Sequence, residues 1–487
     1  MKRLAIAAAA LAGIALAGCT VGPKYQRPPA PAPEAWSTQG PWRAADPKDA
    51  LPKGAWWEIY HDDQLNQYEK QLLAANQSLF AAQDRLRQAR SLARVASAGL
   101  FPTMSADPSA SGQRYSANRP GSSTPETALT QSVYTVPFAL SYEVDLFGRQ
   151  RKTLEAANAS LQSTAADLYN VQLVLTAELA ADYFTLRELD AETQVVRESI
   201  SIEQKGLDLV NDRHQGGLAS GLDVAQQQTL LDSTGTQLYL VEQQRATFEH
   251  AIAVLIGEPA PTLKVAAVPL NSAPPPVPLG MPSDMLERRP DVATAERTMA
   301  QQNALVGVAQ SAFYPQFTIA AGGGFQSISI SSLMTTPSAI WAVGGDLLQP
   351  IFNGGRNRAN LAASRSAYDE SVANYRESVL LAFQQVEDGL SSLNALSQAA
   401  ASQNNAVNSA RRSLELSNNR YVGGVASYLD VITAQVSLLE SQRLATQLLG
   451  QQMVTSVYLV KALGGGWDAS AIQNDVVRPQ AIQIVQP

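Results

Sequence analysis

The chain has 487 residues and a formal net charge of −7, with 45% of its residues hydrophobic and only 16% charged. That balance supplies no basic face for nucleic acid. The histidines His61, His214 and His250 lie scattered and Cys19 is the only cysteine, which leaves little for a zinc or nucleophile site, so neither enzyme activity nor a cofactor is expected.

Met1 to Ala17 joins a basic start, Lys2 and Arg3, to an Ala/Leu/Ile run too short to span a bilayer. This is the pattern of a bacterial secretory signal, so residues 1–18 are expected to be missing from the mature protein. The run ends Leu16-Ala17-Gly18-Cys19 and resembles a lipobox, which implies that Cys19 becomes the first residue, carrying N-palmitoyl and S-diacylglycerol groups. The alternative is an ordinary signal peptide with an incidental cysteine. Several acyl chains at about 0.8 kcal/mol per buried CH₂ would anchor the protein stably. Thr20 stands where retained lipoproteins usually carry Asp, so the resemblance implies the outer membrane.

The rest of the chain is a tandem duplication. Arg213-His214-Gln215-Gly216-Gly217-Leu218-Ala219-Ser220-Gly221-Leu222-Asp223-Val224 recurs as Arg420-Tyr421-Val422-Gly423-Gly424-Val425-Ala426-Ser427-Tyr428-Leu429-Asp430-Val431, eight of twelve positions being identical. The same offset of 207 relates Arg149, Arg151, Leu154 and Ala156 to Arg356, Arg358, Leu361 and Ala363. Phe101-Pro102 matches Tyr314-Pro315 at a slightly larger offset. The expected divisions are a lipidated segment at 19–60, a first copy at 61–258, a Pro-rich linker at 259–282, a second copy at 283–465 and a tail at 466–487.

Each copy reads as helix, two strands, very long helix, tight turn and helix. No proline falls between Pro137 and Pro259 or between Pro350 and Pro479, so both stretches can be helical except at the double glycines. Leu154, Leu161, Leu168 and Leu175 recur every seven residues, with Leu361, Tyr368, Tyr375 and Ala382 equivalent, which is the spacing of a coiled-coil seam. A helix over 149–214 would be roughly 100 Å long at about 1.5 Å per residue. No compact globular domain needs such a rod.

The strands alternate instead. Tyr134, Val136, Phe138, Leu140, Tyr142 and Val144 share one face, while Thr135, Pro137, Ala139, Ser141 and Glu143 share the other. Phe317, Ile319, Ala321, Gly323 and Phe325 continue the pattern, as do Trp341, Val343 and Leu347; the stretch 103–115 carries it weakly. Gly322-Gly323-Gly324 opens no helix, so it is a close-packing device rather than a phosphate loop. Lipid is the expected neighbour of the apolar face, in strands of about 9 to 11 residues. Four strands per chain cannot close a barrel whose minimum is about eight, and open edges are not tolerated in lipid, so several chains must close it together. Three chains would give twelve strands, although counting alone does not fix three.

These residues resemble the TolC-like outer membrane factors, in the lipoprotein branch typified by OprM and NodT. The resemblance rests on Val21-Gly22-Pro23-Lys24-Tyr25-Gln26-Arg27-Pro28, on Trp56-Trp57 with Tyr60, Asp62 and Leu65, and on Arg288-Arg289-Pro290-Asp291-Val292 with Ala295-Glu296. It implies an α+β membrane protein: a homotrimer with a 12-stranded β-barrel in the outer membrane, a long α-helical coiled-coil barrel in the periplasm and an equatorial collar. The collar would hold the linker, the mature N-terminus and the tail. The implied partners are outer-membrane lipid, a periplasmic adaptor (membrane fusion) protein and an inner-membrane pump of the resistance-nodulation-division class. The implied function is a passive export duct for drugs or other small molecules; the alternative is the exit duct of a type I protein secretion system.

The double-glycine turns allow a tight helix reversal, and Ser220-x-x-Asp223 and Ser427-x-x-Asp430 both look like capping boxes. Helix capping alone would account for both aspartates. The resemblance adds a second role: Asp430 would ring a periplasmic entrance, tied shut by Tyr421 and Asp223; if these residues only cap helices, Leu416 one turn above the tip is the next candidate for the gate. Gly216, Gly217, Leu218, Ala219, Gly423, Gly424, Val425 and Ala426 would form the adaptor-docking tips. Ala426 departs from the pattern, standing where TolC itself has an arginine, which leaves Arg420 as a substitute.

Overall fold

The structure, a computed structural model, describes residues 20–29, 43–44, 54–117, 129–279 and 289–467. The expected signal segment, Cys19 and all but the first residues of the expected tail lie outside them. Along the chain run β1 (Arg43–Ala44), α1 (Asp63–Ala75), α2 (Gln77–Ala98), β2 (Thr103–Ala106), β3 (Ser109–Tyr115), β4 (Leu129–Val144), α3 (Arg149–Gln215) and α4 (Gly221–Leu255). They are followed by β5 (Pro278–Leu279), α5 (Pro290–Ser311), β6 (Gln316–Ser327), β7 (Ala339–Leu348), α6 (Arg356–Val422) and α7 (Tyr428–Ala462). Short 3₁₀ turns cover Trp56–Tyr60, Ile330–Ser332 and Thr336–Ser338.

Two compact units divide the chain, and each draws on both copies of the duplication. One takes in the chain up to Pro28 with Arg87–Ser163 and Ala295–Tyr375; the other takes in the described parts of Pro29–Leu86, Thr164–Thr294 and Arg376–Pro487.

The first unit is built on an antiparallel sheet. β2 and β3 both pair with β4, β4 pairs with β6, and β6 pairs with β7, so five strand segments fill four lanes. The outer lane breaks at Asp107 and Pro108, where proline has no N–H to give to a ladder. At the end of β4 the chain turns through Gly148, at φ +83°, into α3. The Asp145 carboxylate accepts from the backbone of Gln150 at 3.1 Å and of Arg151 at 2.9 Å, satisfying first-turn N–H groups that have no partner inside the helix. Glu143 pairs with Arg149 beside it. Residues 20–28 run along this unit: Val21 N–H donates to the Phe147 carbonyl, Tyr25 donates to Glu296, and Arg27 donates to the Tyr375 hydroxyl.

In the second unit α1 is capped by Asp62, which accepts from Gln64 at 3.0 Å and Leu65 at 2.9 Å and is itself held by the Tyr183 hydroxyl at 2.7 Å. Trp56 is fully buried and donates to Thr176 at 3.2 Å, so the double-tryptophan signature is a core anchor. The linker is strapped to α3 and α4 by buried charge. Arg187 donates to the Ala266 carbonyl and Arg245 to that of Val265, while Glu249 and Asp190 accept from the N–H groups of Val265 and Val268. Arg187 and Arg245 both pair with Asp190, so each buried charge has a counter-charge as well as a backbone partner.

The heptad expectation holds unevenly. In α6, Tyr375, Val379, Ala382, Val386 and Leu390 are all fully buried at spacings of four, three, four and four, so the coiled-coil seam holds through Val386 and then slips by one residue. In α3 the expected leucines Leu154, Leu168 and Leu175 are only half-buried. Its buried stripe runs instead through Ala156, Ala159, Leu161, Ala165 and Ala166, because small side chains let neighbouring backbones approach more closely than leucine does.

Candidate channel wall and entrance

Residues paired across a ladder point to the same face, so register decides whether the alternation seen in one strand becomes a surface. It does. Leu140 pairs with Met104 on one side and Ala321 on the other, and Ala321 in turn pairs with Val343. Phe138 pairs with Gly323, which pairs with Trp341, and Val144 pairs with Phe317, which pairs with Leu347. One apolar face therefore crosses all four lanes. On the other face Thr135, Ala139, Ser141 and Glu143 meet Gln326, Gly322, Ala320 and Thr318. Large side chains flank the glycines, and a Cβ at Gly324 would collide with the carbonyl of Val136.

The apolar face has no core beneath it among the described residues: Trp341 is 83% exposed and Met104 71%. The backbones of the outer lanes, β2 with β3 and β7, are unpaired on their far sides among the described residues. Adjacent lanes are antiparallel and four is even, so β7 of one copy and the β2/β3 lane of another would also meet antiparallel. Copies can thus close without a mismatched seam, as lipid requires.

The two turns between long helices have nearly the same backbone. Gly217 and Gly424 take φ of +71° and +74°, the left-handed region that glycine occupies without strain. In the first turn Leu218 N–H reaches the Arg213 carbonyl and Gly217 N–H that of His214; in the second, Val425 reaches Arg420 and Gly424 reaches Tyr421. Both are Schellman endings. Leu218, Leu222, Val425 and Leu429 are exposed at equivalent places, while Ala219 and Ala426 are half-buried.

The caps differ from expectation. Ser220 and Asp223 form the full reciprocal capping box, with bonds of 3.2 and 3.0 Å. The matching box at Ser427 and Asp430 is not made: the Ser427 side chain forms no capping bond, and Asp430 lies exposed on the first turn of α7. The ring that follows Ser427, Tyr428, is buried against Tyr421, where the first turn has Gly221.

Tyr421 is buried, its hydroxyl has no hydrogen-bond partner, and its ring lies 4.8 Å from the Tyr428 ring. The Arg213 guanidinium sits over the same ring at 4.8 Å, within the range of a cation–π contact. Burial raises the Tyr421 pKa above the ordinary phenol value; the Arg213 charge opposes the rise and the Asp223 charge adds to it. The structure thus brings Tyr421 and Asp223 into one neighbourhood, but with Arg213 rather than the exposed Arg420 beside them. Tyr428 reaches across to Gln227 at 3.0 Å, over Gly206, whose missing side chain leaves the room. Sequence reasoning missed Arg213 and Tyr428. The Arg213/Arg420 identity across the copies was the available signal for the first.

A sheet greasy on one face across its width, with both edges open, in a chain of long helices reversed by glycine turns, defines a subunit of an outer-membrane channel. Residues 69–258 and 281–465 match the model of the outer membrane efflux protein family, and the chain belongs to that family. The pyoverdine export outer membrane protein OpmQ of Pseudomonas aeruginosa is 34% identical over 446 residues, spanning 91% of this chain and 94% of that one. The solvent efflux pump outer membrane protein SrpC of Pseudomonas putida is 33% identical over 462 residues, spanning 93% and 97%. The solved structure of the outer-membrane channel OprN superposes with a TM-score of 0.86 at 27% identity, spanning 92% and 100%. The chain is accordingly an outer-membrane efflux duct that extends into the periplasm. It works as a trimer with a periplasmic adaptor and an inner-membrane resistance-nodulation-division pump.

Proposed function

We propose that three copies form a passive duct for small organic molecules, anchored by acylated Cys19, docked to the adaptor through the glycine tips and held nearly closed at Asp430. The observation that carries the duct is the apolar face that register extends across every lane of an open-edged sheet. Small-molecule cargo, rather than secreted protein, is favoured by the pyoverdine and solvent relatives. Restoring drug or solvent resistance to a strain that lacks its own outer-membrane duct tests the whole reading; a purified chain that forms no pore in planar bilayers would overturn it.

Support for the anchor comes from the residue beside it. Thr20 lies against Gly148, where a Cβ would be 2.7 Å from the Thr20 methyl, just past the end of β4. Thr20, the residue that follows Cys19 in the sequence, therefore sits at the root of a membrane strand. Cys19→Ser is expected to abolish incorporation of labelled palmitate, and continued labelling would remove the assignment.

Support for the entrance comes from Asp430, exposed and unused by the cap that would explain it, and from the unpartnered Tyr421 hydroxyl. Three such carboxylates around one passage would favour cations. A gate that an adaptor opens is held by no more than a few kcal/mol of differential contact. Arg213 fits that scale, because a cation–π contact contributes roughly 0.5 to 2 kcal/mol. It supplies a positive group where Ala426 supplies none.

A further inference from the structure

We infer that Phe352 of one copy packs against Phe101 of the next, sealing the joint between subunits at the helix-side end of the barrel with a contact between aromatic rings. The inference rests on the trimeric closure described above and adds the contact that lies beneath each closing seam.

The duplication supplies the argument. Inside one chain there is already a seam between the copies, where β4 pairs with β6. Just past the end of β4 comes Phe147, and just ahead of β6 comes Tyr314. Their rings stack at 4.8 Å between centroids and 27° between planes. The seam between chains repeats this join: a strand that ends the second copy, β7, meets a strand that begins the first, β2. The residues ahead of β2, Phe101-Pro102, are the counterparts of Tyr314-Pro315. The segment past β7 carries Ile351 and Phe352, and then turns through Gly354 and Gly355 at φ of +62° and +85° into α6.

Among the described residues of one chain these rings are left exposed. Phe352 is 90% exposed and Phe101 67%, whereas Tyr314 in the internal seam is 36% exposed. They flank opposite edges of the four lanes, three spacings of about 4.8 Å apart, roughly 14 Å, so they cannot touch each other in the same copy. The occupant is another copy because the apolar segments continue directly from the two unpaired strand edges, and antiparallel closure sets the end of β7 beside the start of β2. The aromatic has moved relative to the internal seam: the position equivalent to Phe147 is Gly354, and Phe352 stands two residues before it. The expected partner segment is the same, with the ring offered from two residues earlier in the chain.

The test uses two full-length, differently tagged chains expressed together, one bearing Phe101→Cys and the other Phe352→Cys, treated in membranes with a short bis-maleimide. Each chain carries one introduced thiol, so a mixed-tag dimer can arise only between copies. The expected result is a mixed dimer that disappears when either variant is expressed alone, with trimers intact by native mass spectrometry. Intact trimers without the mixed dimer would overturn the contact while leaving the assembly. Labelling of the thiol introduced by Phe352→Cys with a membrane-soluble maleimide in those trimers would assign that position to lipid and overturn it equally. Loss of trimers in the unmodified protein would remove the assembly and the contact together.

Discussion

The two helical turns share a backbone and eight of twelve residues, and differ in what their remaining side chains do. Both end a long helix with the same pair of hydrogen bonds and the same left-handed glycine. The first then completes a capping box and braces itself with His214, whose Nδ1 lies 2.9 Å from the Ala219 carbonyl. The second leaves its cap unmade and has tyrosines where the first has His214 and Gly221. The difference extends up the helices: Ser199, Glu203 and Gln227 of the first correspond to Ala406, Ala410 and Ala434 of the second. Duplication conserved what the reversal needs geometrically and released the side chains, so one turn became a self-contained brace and the other became free to act on its surroundings.

The sharpest break of that comparison is truncation of the rings. Tyr421→Ala is expected to lower the local opening free energy of the second hairpin by roughly 3 to 5 kcal/mol, the range for emptying a buried aromatic site. His214→Ala, at an exposed position, is expected to cost no more than about 0.5 kcal/mol. Native-state hydrogen exchange of the two hairpins measures both, and equal costs would dissolve the distinction.

Next come the glycines, where the comparison expects equality. Gly217→Val and Gly424→Val each force a branched side chain into the left-handed region, at about 1 to 2 kcal/mol or more, and put bulk on a proposed docking tip. Each alone should abolish drug resistance while leaving trimers in the outer membrane. Full resistance in either variant would show that its turn is not a docking tip.

The aspartates should separate again. Asp223→Ala removes half of a capping box and is expected to cost about 1 kcal/mol in the first hairpin. Asp430→Ala should leave helix stability within about 0.5 kcal/mol and instead weaken cation selectivity in planar bilayers. Selectivity that survives Asp430→Ala would return that residue to an ordinary surface role.

The smallest effect is a pH slope confined to one hairpin. Glu203 is fully buried, and burial raises its pKa, against the hydroxyls of Ser199 and Thr234 that bond to it. A carboxyl whose folded pKa lies above its unfolded value contributes stability below the unfolded value and loses it as pH rises through the folded one. Exchange protection around Glu203 should therefore fall as pH rises above the ordinary glutamate range. Glu203→Gln should flatten the slope, and the second hairpin, with Ala410 there, should show none.

Much of this was legible in the sequence because the signals are local or repeated. The absence of proline announced α3 to within a residue of Arg149–Gln215, and the alternation from Tyr134 to Val144 was sufficient to specify a lipid face. The weak stretch 103–115 became a full lane because β4, at 16 residues, is long enough to pair with two short segments. Contacts between distant segments stayed hidden. Tyr428 meets Gln227 across 201 residues, and no periodicity encodes which ring lies under Arg213. The unmade second cap was hidden too, since Ser-x-x-Asp reads the same whether or not the serine turns inward.

The number of lanes has a consequence in the economy of assembly. A chain holding a single copy would contribute two lanes, also an even number, and six such chains would be needed for a ring of twelve. Joining two copies in one polypeptide turns three of those six joints into internal ones. Each internal joint escapes the loss of translational and rotational freedom that separate chains must overcome to associate. The Phe147–Tyr314 stack is such a joint, made permanent by the linker that follows the first copy.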